Sequence, residues 1–440
     1  MKKVITYGSY DQFHYGHQRL LERAKALGDY LIVGVTSDDY DKVRGKINIS
    51  QPLAERIASV KATGLADMII VEEYDGQKID DIKKYNIDVF TVGSDWRGKF
   101  DYLSKYCKVK YLERTKGISS SEIRSEQRLT KLGLIGSSYP FFKKIIQDGE
   151  SVNGLKIVGV YPDSPNTSDL ELDLKEYKSY DAILEKVDAV YIKTDYKERY
   201  KYIKQALRKG KHVLCESPIC LDKKECQELF DLAKSKKLVL MEAIRTAYTT
   251  AYKRLALLAE IGKIGEIVSI ESTCTNMKRN NPDKYASLFE WGPNAMLPIF
   301  QLLGTNYKAK SIITHLEKTT PPLGDIFTKI NFVYERAVAS IFVAEGAKSE
   351  GELIIAGTKG YIYVPAPWWK TEYFELRFEN ATNNRRYFYQ LDGEGSGYEL
   401  VEFLQSIRDG KDVPRIEKEV TMEICKVMQD YENERTLIQL

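Results

Sequence analysis

The fold of the first part of the chain is indicated by the stretch Lys3-Val4-Ile5-Thr6-Tyr7-Gly8-Ser9-Tyr10-Asp11-Gln12-Phe13-His14-Tyr15-Gly16-His17. Its apolar start predicts a strand that ends at a glycine turn, and the residues behind it predict a helix over 18–27. Further strands are predicted over residues 30–35, 68–71 and 89–92, and they alternate with helices predicted over 57–65 and 118–124. This alternation indicates an α/β fold with a parallel sheet.

Two histidines stand where this first strand meets its helix, in His14-Tyr15-Gly16-His17. Amides at a helix N-terminus bind phosphate, and imidazoles beside them can stabilise oxygens that gain charge during nucleotidyl transfer. Gly16 lets the backbone approach the phosphates closely. Two other interpretations are a chance pairing and a zinc site, although a third and a fourth zinc ligand are missing nearby.

Residues 1–127 closely resemble the glycerol-3-phosphate cytidylyltransferases. The resemblance rests on the stretch from Tyr7 to His17 and on Asp88-Val89-Phe90-Thr91-Val92-Gly93-Ser94-Asp95-Trp96. It continues in Arg114-Thr115-Lys116-Gly117-Ile118-Ser119-Ser120-Ser121. It implies a Rossmann-like nucleotidyltransferase domain that joins CTP to a polyol phosphate, with Mg²⁺ as cofactor, and releases pyrophosphate.

The same resemblance implies roles for particular residues. The implied catalytic residues are His14, His17, Arg44 and Lys46. The implied nucleotide-binding residues are Tyr7, Gly8, Ser9, Tyr10, Asp11, Gly16, Gly93, Asp95, Arg114, Thr115, Gly117, Ile118, Ser119, Ser120 and Ser121. Asp11 is expected either to order the site or to approach the magnesium ion. Ser94 stands where the family has a carboxylate, which leaves glycerol, erythritol, pentitol and hexitol phosphates open as acceptors.

A second apolar strand that runs into a glycine, Lys131-Leu132-Gly133-Leu134-Ile135-Gly136, predicts another parallel α/β unit with strands at 156–160, 189–193, 212–216 and 238–241. Beyond residue 246, strand-like alternation dominates, and helices over 398–407 and 417–431 close the chain. We therefore predict an α+β domain with an open antiparallel sheet. The expected domains are a cytidylyltransferase domain, a Rossmann NAD(P)-binding-like domain and an α+β open-sheet domain, over residues 1–128, 129–245 and 246–440.

Residues 130–440 are similar to the Gfo/Idh/MocA oxidoreductases, through Ala189-Val190-Tyr191-Ile192-Lys193-Thr194, Glu216-Ser217-Pro218 and Met241-Glu242-Ala243. This similarity implies a possible NAD(P) site with the candidate residues Gly136, Ser137, Asp163, Thr194 and Glu216. Ser217 replaces the family's usual active-site lysine, and two glycines of its dinucleotide-binding turn are lost. One interpretation is a module that reduces a keto-sugar phosphate to the polyol phosphate acceptor. The other is a non-catalytic scaffold for oligomerisation.

Composition excludes several classes of protein. The 440 residues carry 66 Lys and Arg against 63 Asp and Glu, so nucleic acid is not an expected partner. No stretch is apolar enough for a membrane span, and the N-terminus lacks a signal peptide. The six cysteines are expected to be reduced, mostly buried thiols, and no metal site is predicted. We expect a cytoplasmic homo-oligomer, and the implied CDP-polyol product indicates a role in bacterial surface polymers such as teichoic acids or capsules.

Overall fold

The structure is a computed structural model that describes residues 1–11, 13, 15–38, 40, 51–74, 76–113, 129–164, 172–277, 287–316, 325–389, 391, 395–410 and 415–438. The chain forms two compact units, Met1–Arg128 and Leu129–Leu440. No helix within the described ranges is long and apolar enough to cross a membrane. The further division of the second unit near residue 245 stays a prediction.

The first unit alternates strands and helices around one parallel sheet. Its elements are β1 Lys3–Gly8, α1 Tyr15–Lys25, β2 Tyr30–Thr36, α2 Leu53–Ala62, β3 Met68–Glu72, α3 Gln77–Tyr85, β4 Val89–Gly93 and β5 Lys108–Leu112. The strands run in the order β3-β2-β1-β4-β5, and each adjacent pair is parallel. The strand order reverses between β1 and β4, which is the position where open α/β sheets bind ligands at their carboxyl edge.

Apolar side chains on both faces of this sheet form its core. Val4 and Ile5 of β1 are fully buried on opposite faces, and Leu21 and Ala24 give α1 its buried stripe. The helix ends before Gly28, where an added Cβ would lie 2.6 Å from the carbonyl oxygen of Lys2. The predicted α/β fold of the first unit is confirmed.

The second unit begins with another parallel sheet of alternating elements. They are β6 Thr130–Ile135, α4 Tyr139–Glu150, β7 Leu155–Tyr161, α5 Tyr180–Leu184, β8 Ala189–Ile192, α6 Tyr196–Arg208, β9 His212–Glu216, α7 Lys223–Ser235 and β10 Leu240–Ala243. The strand order is β10-β9-β8-β6-β7, with every adjacent pair parallel. The Rossmann-like character predicted for this segment is confirmed.

The remainder of the second unit is built on a nine-stranded sheet. Its elements are α8 Thr250–Glu260, β11 Ile267–Asn276, α9 Ser287–Leu303, β12 Ala309–Leu316, β13 Asp325–Val333, β14 Val338–Glu345, β15 Leu353–Gly357, β16 Tyr361–Val364, β17 Tyr373–Arg377, β18 Arg385–Phe388, α10 Ser396–Asp409, α11 Lys418–Glu434 and β19 Thr436–Ile438. The order in the sheet is β18-β17-β16-β15-β11-β14-β13-β12-β19.

The prediction of an antiparallel sheet is wrong in part. Most neighbouring strands are antiparallel, but β11 pairs in parallel with β14, and β12 pairs in parallel with β19. Alternation of apolar residues determines which face of a strand is buried and carries no information on strand direction. The sheet is therefore mixed.

Candidate functional site

A cavity of about 220 Å³ opens at the carboxyl edge of the first sheet, beside the point where the strand order reverses. The ends of β1, β2, β3 and β4 and the start of α1 form its walls. Its lining residues are Tyr7, Gly8, Ser9, Tyr10, His17, Leu20, Thr36, Glu72, Lys78, Val92, Gly93, Trp96 and Phe100. An added Cβ at Gly93 would meet no atom within 4 Å, so this glycine leaves room at the end of β4.

An aromatic cluster holds His17 at the wall of this cavity. The His17 ring lies 5.5 Å from the Tyr10 ring and 5.6 Å from the Phe13 ring, measured between centroids. Tyr10 is 1% exposed and has a φ of 54°, a left-handed conformation that is uncommon for a residue with a side chain. Such backbone strain is found most often at functional sites. The loop after β1 is thus held in an unusual shape that places His17 at the cavity.

Buried charged and polar groups lie at the ends of β2 and β3. Lys78 of α3 forms an ion pair with Glu72, and Thr36 donates a hydrogen bond of 3.1 Å to Glu72 Oε2. The Lys78 ammonium also lies 4.8 Å from the centre of the Tyr7 ring. Tyr7 donates from its hydroxyl to Asp81 Oδ2 at 2.8 Å, and burial is the main cause that raises the pKa of Tyr7. The buried charges of Lys78 and Glu72 on the cavity wall are therefore paired with each other.

Arg56 and Asp11 fix the loops around the cavity. Arg56 is fully buried and donates to the carbonyl oxygens of Ser9 and Thr36, at 2.6 and 2.9 Å. Asp11 Oδ1 accepts a hydrogen bond of 2.9 Å from the backbone N–H of Gln51. Of the two roles predicted for Asp11, this contact supports ordering of the site.

Several candidate residues of the first unit lie outside the described residues. They are His14, Arg44, Lys46, Arg114, Thr115, Gly117, Ile118, Ser119, Ser120 and Ser121. Asp95 lies in a 3₁₀ turn over Ser94–Trp96, and its side chain is likewise outside what the structure describes. The structure brings together Tyr7, Gly8, Ser9, Tyr10, His17 and Gly93 at the cavity, and Gly16 lies in the first turn of α1.

Sequence reasoning missed Glu72, Lys78 and Arg56 as parts of this site. Each is a charged residue that is nearly or fully buried, with exposed fractions of 1%, 7% and 0%. Charged side chains are rarely buried unless they are paired. Their sequence context carries no motif, and only the fold shows that they meet at one sheet edge.

The candidate dinucleotide residues of the second unit lie at the carboxyl edge of its parallel sheet. Gly136 follows β6 with a φ of 134°, and an added Cβ would lie 2.0 Å from the carbonyl oxygen of Lys193. Ser137 donates to Asp163 Oδ1 at 2.7 Å or to the carbonyl oxygen of Ser164 at the same distance. Thr194 is 8% exposed at the end of β8. The close backbone approach at Gly136 is kept, and Asp163 contacts Ser137 beside it.

Glu216, at the end of β9, lies in a buried group of charges. The Tyr191 hydroxyl donates a hydrogen bond to Glu216 Oε1 at 2.7 Å or to Glu399 Oε1 at 2.9 Å. Burial acts to raise the pKa of Glu216, but the charges of Lys193 and Arg245 outweigh it and hold that pKa below its usual value. Burial raises the pKa of Glu399 to about 8, against the effect of Arg245. The surroundings therefore favour the ionised form of Glu216 and the protonated form of Glu399.

Ser217 replaces the lysine expected at this position and has a different partner. Its hydroxyl donates to Glu242 Oε1, and the hydroxyl of Thr421 donates to Glu242 Oε2 at 2.6 Å. Burial raises the pKa of Glu242 to about 7. Ser217 thus contributes to a buried hydrogen-bond network, and a hydroxyl does not supply the charge of an ammonium group there.

We expect Glu399→Gln to make the second unit more stable than the wild type at high pH. A raised pKa in the folded state means that stability is full below the unfolded pKa and falls as pH rises through about 8. The amide is neutral at every pH and retains an acceptor for Tyr191, so the variant should lose this slope, which is about 1.4 kcal/mol per pH unit for one proton. Thermal unfolding between pH 5 and pH 9 measures it.

The matched control is Glu402→Gln on the same helix. Glu402 pairs with Lys253 at 2.6 Å, and its side chain is 27% exposed. This variant should keep the wild-type dependence of unfolding temperature on pH. Equal slopes for wild type and Glu399→Gln would contradict the assignment of a protonated carboxyl group.

Comparison with known proteins covers the first unit almost completely. A family model described as cytidylyltransferase-like matches residues 5–126. The glycerol-3-phosphate cytidylyltransferase of Bacillus spizizenii is 49% identical over 126 residues, which are 29% of this chain and 97% of that protein. The enzyme of the same name from Staphylococcus aureus is 44% identical over 126 residues, which are 29% of this chain and 95% of that protein.

The second unit matches a different family. A model described as the oxidoreductase family with an NAD-binding Rossmann fold (Gfo/Idh/MocA) covers residues 130–244. A dTDP-3,4-didehydro-2,6-dideoxy-alpha-D-glucose 3-reductase of Actinomadura kijaniata is 36% identical over 100 residues, which are 22% of this chain and 30% of that protein. The crystal structure of KijD10, a 3-ketoreductase from the same organism in complex with NADP and TDP-benzene, has a TM-score of 0.62 at 17% identity, over 71% of this chain and 99% of that one.

Proposed function

Because the chain belongs to the cytidylyltransferase family through its first unit and carries a Gfo/Idh/MocA oxidoreductase domain behind it, we propose that it transfers CMP from CTP to a glycerol-phosphate-like polyol phosphate. The products are a CDP-polyol and pyrophosphate. The observation that carries this proposal is the cavity at the sheet edge, where His17 stands beside the glycine turn of β1. The two curated relatives named above, both glycerol-3-phosphate cytidylyltransferases, support the acceptor class.

The reaction needs orientation and charge stabilisation more than proton transfer. A phosphate oxygen of the acceptor attacks the α-phosphorus of CTP, the bond to the β-phosphate oxygen breaks, and pyrophosphate leaves with the bonding electrons. The acceptor phosphate is already anionic, so no general base is required. His17 lies at the cavity wall, where its imidazole can donate to an oxygen that gains charge at the α-phosphorus.

Mg²⁺ belongs to the same proposal, as the ion that accompanies the phosphates of CTP. Glu72 is the carboxylate on the described cavity wall, and it already pairs with Lys78 and accepts from Thr36. Asp11 accepts from Gln51. These contacts favour an ion bound mainly through phosphate oxygens and water, as is usual for Mg²⁺.

The proposal is tested by pyrophosphate release from CTP and Mg²⁺ with a panel of acceptors. Glycerol, erythritol, ribitol and hexitol phosphates are compared, with each dephosphorylated alcohol as a control for the nucleophile. We expect release with at least one phosphorylated polyol and none with the matching free alcohols. Failure of every phosphorylated acceptor, with CTP left intact, would overturn the proposed activity.

For the second unit we propose NAD(P) binding, supported by its family and by the NADP complex of its structural relative. Gly136 and Asp163 fit the turn and the ribose side of a dinucleotide, and bound nicotinamide would supply hydride for reduction of a keto-sugar phosphate. That reduction would provide the acceptor for the first unit, whose CDP-polyol product would feed surface polymers. Ser138 and Phe141 replace two glycines of the binding turn, so the fit is incomplete at the pyrophosphate.

A second candidate is a non-catalytic scaffold, favoured by the contact of Ser217 with Glu242. The two candidates are distinguished by titrating the full chain with NADPH and NADH and by following their oxidation with ketose phosphates. Saturable quenching with turnover supports the reductase. No binding and no turnover, with one stable oligomer in light scattering, supports the scaffold.

A further inference from the structure

Three buried cysteines of the second unit bring their sulfur atoms together. Cys220 lies in the loop after β9, Cys226 lies near the start of α7, and Cys425 lies in the middle of α11. Their Sγ atoms all lie within 4.8 Å of one another, and the distance between Cys220 and Cys425 is 3.9 Å. Each of these residues is 0% exposed. We call these three residues the thiol cluster.

The sulfur atoms of the thiol cluster face one another. Cys220 Sγ and Cys425 Sγ lie within weak hydrogen-bond distance of each other, at 3.9 Å. Cys220 Sγ also lies 3.3 Å from the carbonyl oxygen of Asp222. A buried cysteine that only fills a core behaves as a small apolar side chain, for which no such convergence of sulfur atoms is needed.

The spacing of the sulfur atoms fits a metal ion between them. Thiolates about 2.3 Å from a tetrahedral Zn²⁺ ion are about 3.8 Å apart, close to the separation of Cys220 and Cys425. We propose that Cys220, Cys226 and Cys425 bind one thiophilic d¹⁰ metal ion, Zn²⁺ or Cu⁺, at a structural site. Soft thiolates select these two ions, and each thiol that binds releases its proton to solvent.

The surroundings of the thiol cluster suit thiolate ligands. Cys226 lies at the N-terminal end of α7, where the partial positive charge of the helix stabilises a thiolate. Glu242 is 2% exposed and is held by Thr421, one turn before Cys425 on α11. Thr421 thus links the buried Glu242 carboxylate to the helix that carries Cys425.

The site would fasten the C-terminal helix to the Rossmann sheet. Helix α11 already contacts the start of α7, because Gln429 donates to Asp222 Oδ2 at 2.9 Å and Lys223 pairs with Glu423 at 3.4 Å. A metal ion held by the same two helices and the loop after β9 would close a chain segment of about 200 residues, a long loop whose closure constrains the unfolded chain. The sequence shows no sign of this site, because Cys220 and Cys425 are so far apart in the chain.

The test is the metal content of the full chain, purified without a histidine tag or chelator from cells grown with added zinc and copper. Mass spectrometry of the metals is run on the wild type, Cys226→Ser, Cys425→Ser and Cys274→Ser. Cys274 is the matched control because it is also 0% exposed and lies on β11, outside the cluster. We expect about one equivalent of zinc or copper in the wild type and in Cys274→Ser, and at least a fivefold loss in the two cluster variants.

X-ray absorption of the wild type keeps the test valid if a cluster variant fails to fold. Sulfur neighbours at about 2.3 Å from the metal would support the site. A wild type without zinc or copper would overturn the proposal. So would metal with only nitrogen and oxygen neighbours, or full metal content in both cluster variants.

Discussion

His17→Ala is expected to lower kcat for CTP-dependent pyrophosphate release by at least about a hundredfold, the usual cost of losing one preorganised donor to a developing oxyanion. The ring stands at the cavity wall, in the first turn of α1, and is packed by Tyr10 and Phe13. The contact strengthens only as charge develops at the α-phosphorus. We therefore expect kcat and kcat/KM to fall together while KM for CTP changes little.

The control for this prediction is the neighbouring residue on α1. Gln18 donates to Glu22 at 3.2 Å on the same helix and does not line the cavity. Gln18→Ala should keep activity within about twofold of the wild type, as surface substitutions usually do. Far-ultraviolet circular dichroism checks that His17→Ala remains folded. A folded His17→Ala enzyme with nearly wild-type kcat would contradict the role given to this histidine.

Most strands of both parallel sheets could be predicted from the sequence, because each of these is a short apolar run bounded by turn residues. Strand β5 was not predicted, since Lys108 and Lys110 interrupt its apolar residues, and neither was helix α3. The boundaries were less certain. The second helix of the first unit was predicted over 57–65, but it is Leu53–Ala62. Gly64 has a φ of 66°, which ends the helix before it, and Pro52 marks its start.

The second half shows what patterning does not determine. Strands β11 and β14 pair in parallel, although some 60 residues lie between them, and no local signal specifies that partner. Helix α9 contains Pro293 and Pro298, and helix propensity alone would argue against a helix at these positions. Its side chains are mostly buried, so tertiary packing decides its conformation.

The candidate site divides in the same way. One contiguous stretch that resembles the cytidylyltransferases contains Tyr7, Gly8, Tyr10 and His17, so these residues could be predicted. Lys78 and Glu72 could not, since each reads as an ordinary surface charge until the fold places them at one sheet edge. Once the fold buries these two side chains, each charge needs a partner, because a charge inside a protein is stable only when an opposite charge or hydrogen bonds compensate it.

Arg56→Met is expected to destabilise the first unit by about 3 kcal/mol, because breaking a buried charged network leaves its partners without donors. The guanidinium donates to the carbonyl oxygens of Gln51, Ser9 and Thr36 and pairs with Asp38. Methionine fills much of the same volume but donates no hydrogen bond. Buried carbonyl groups at the ends of two strands would then lose their partner.

The two-unit chain needs a probe that reports on the first unit, so the measurement is the urea midpoint for loss of cytidylyltransferase activity. Arg56→Met should lower that midpoint by about 1–2 M, and Arg56→Lys should fall between it and the wild type because an ammonium cannot reproduce the guanidinium fork. Arg19→Met is the control, since Arg19 is 39% exposed and pairs only with Glu22 within its own helix among the contacts described. An exposed pair contributes little, so that midpoint should stay near the wild type. A shift for Arg56→Met no larger than for Arg19→Met would mean that the loops after β1 and β2 are fixed by other contacts.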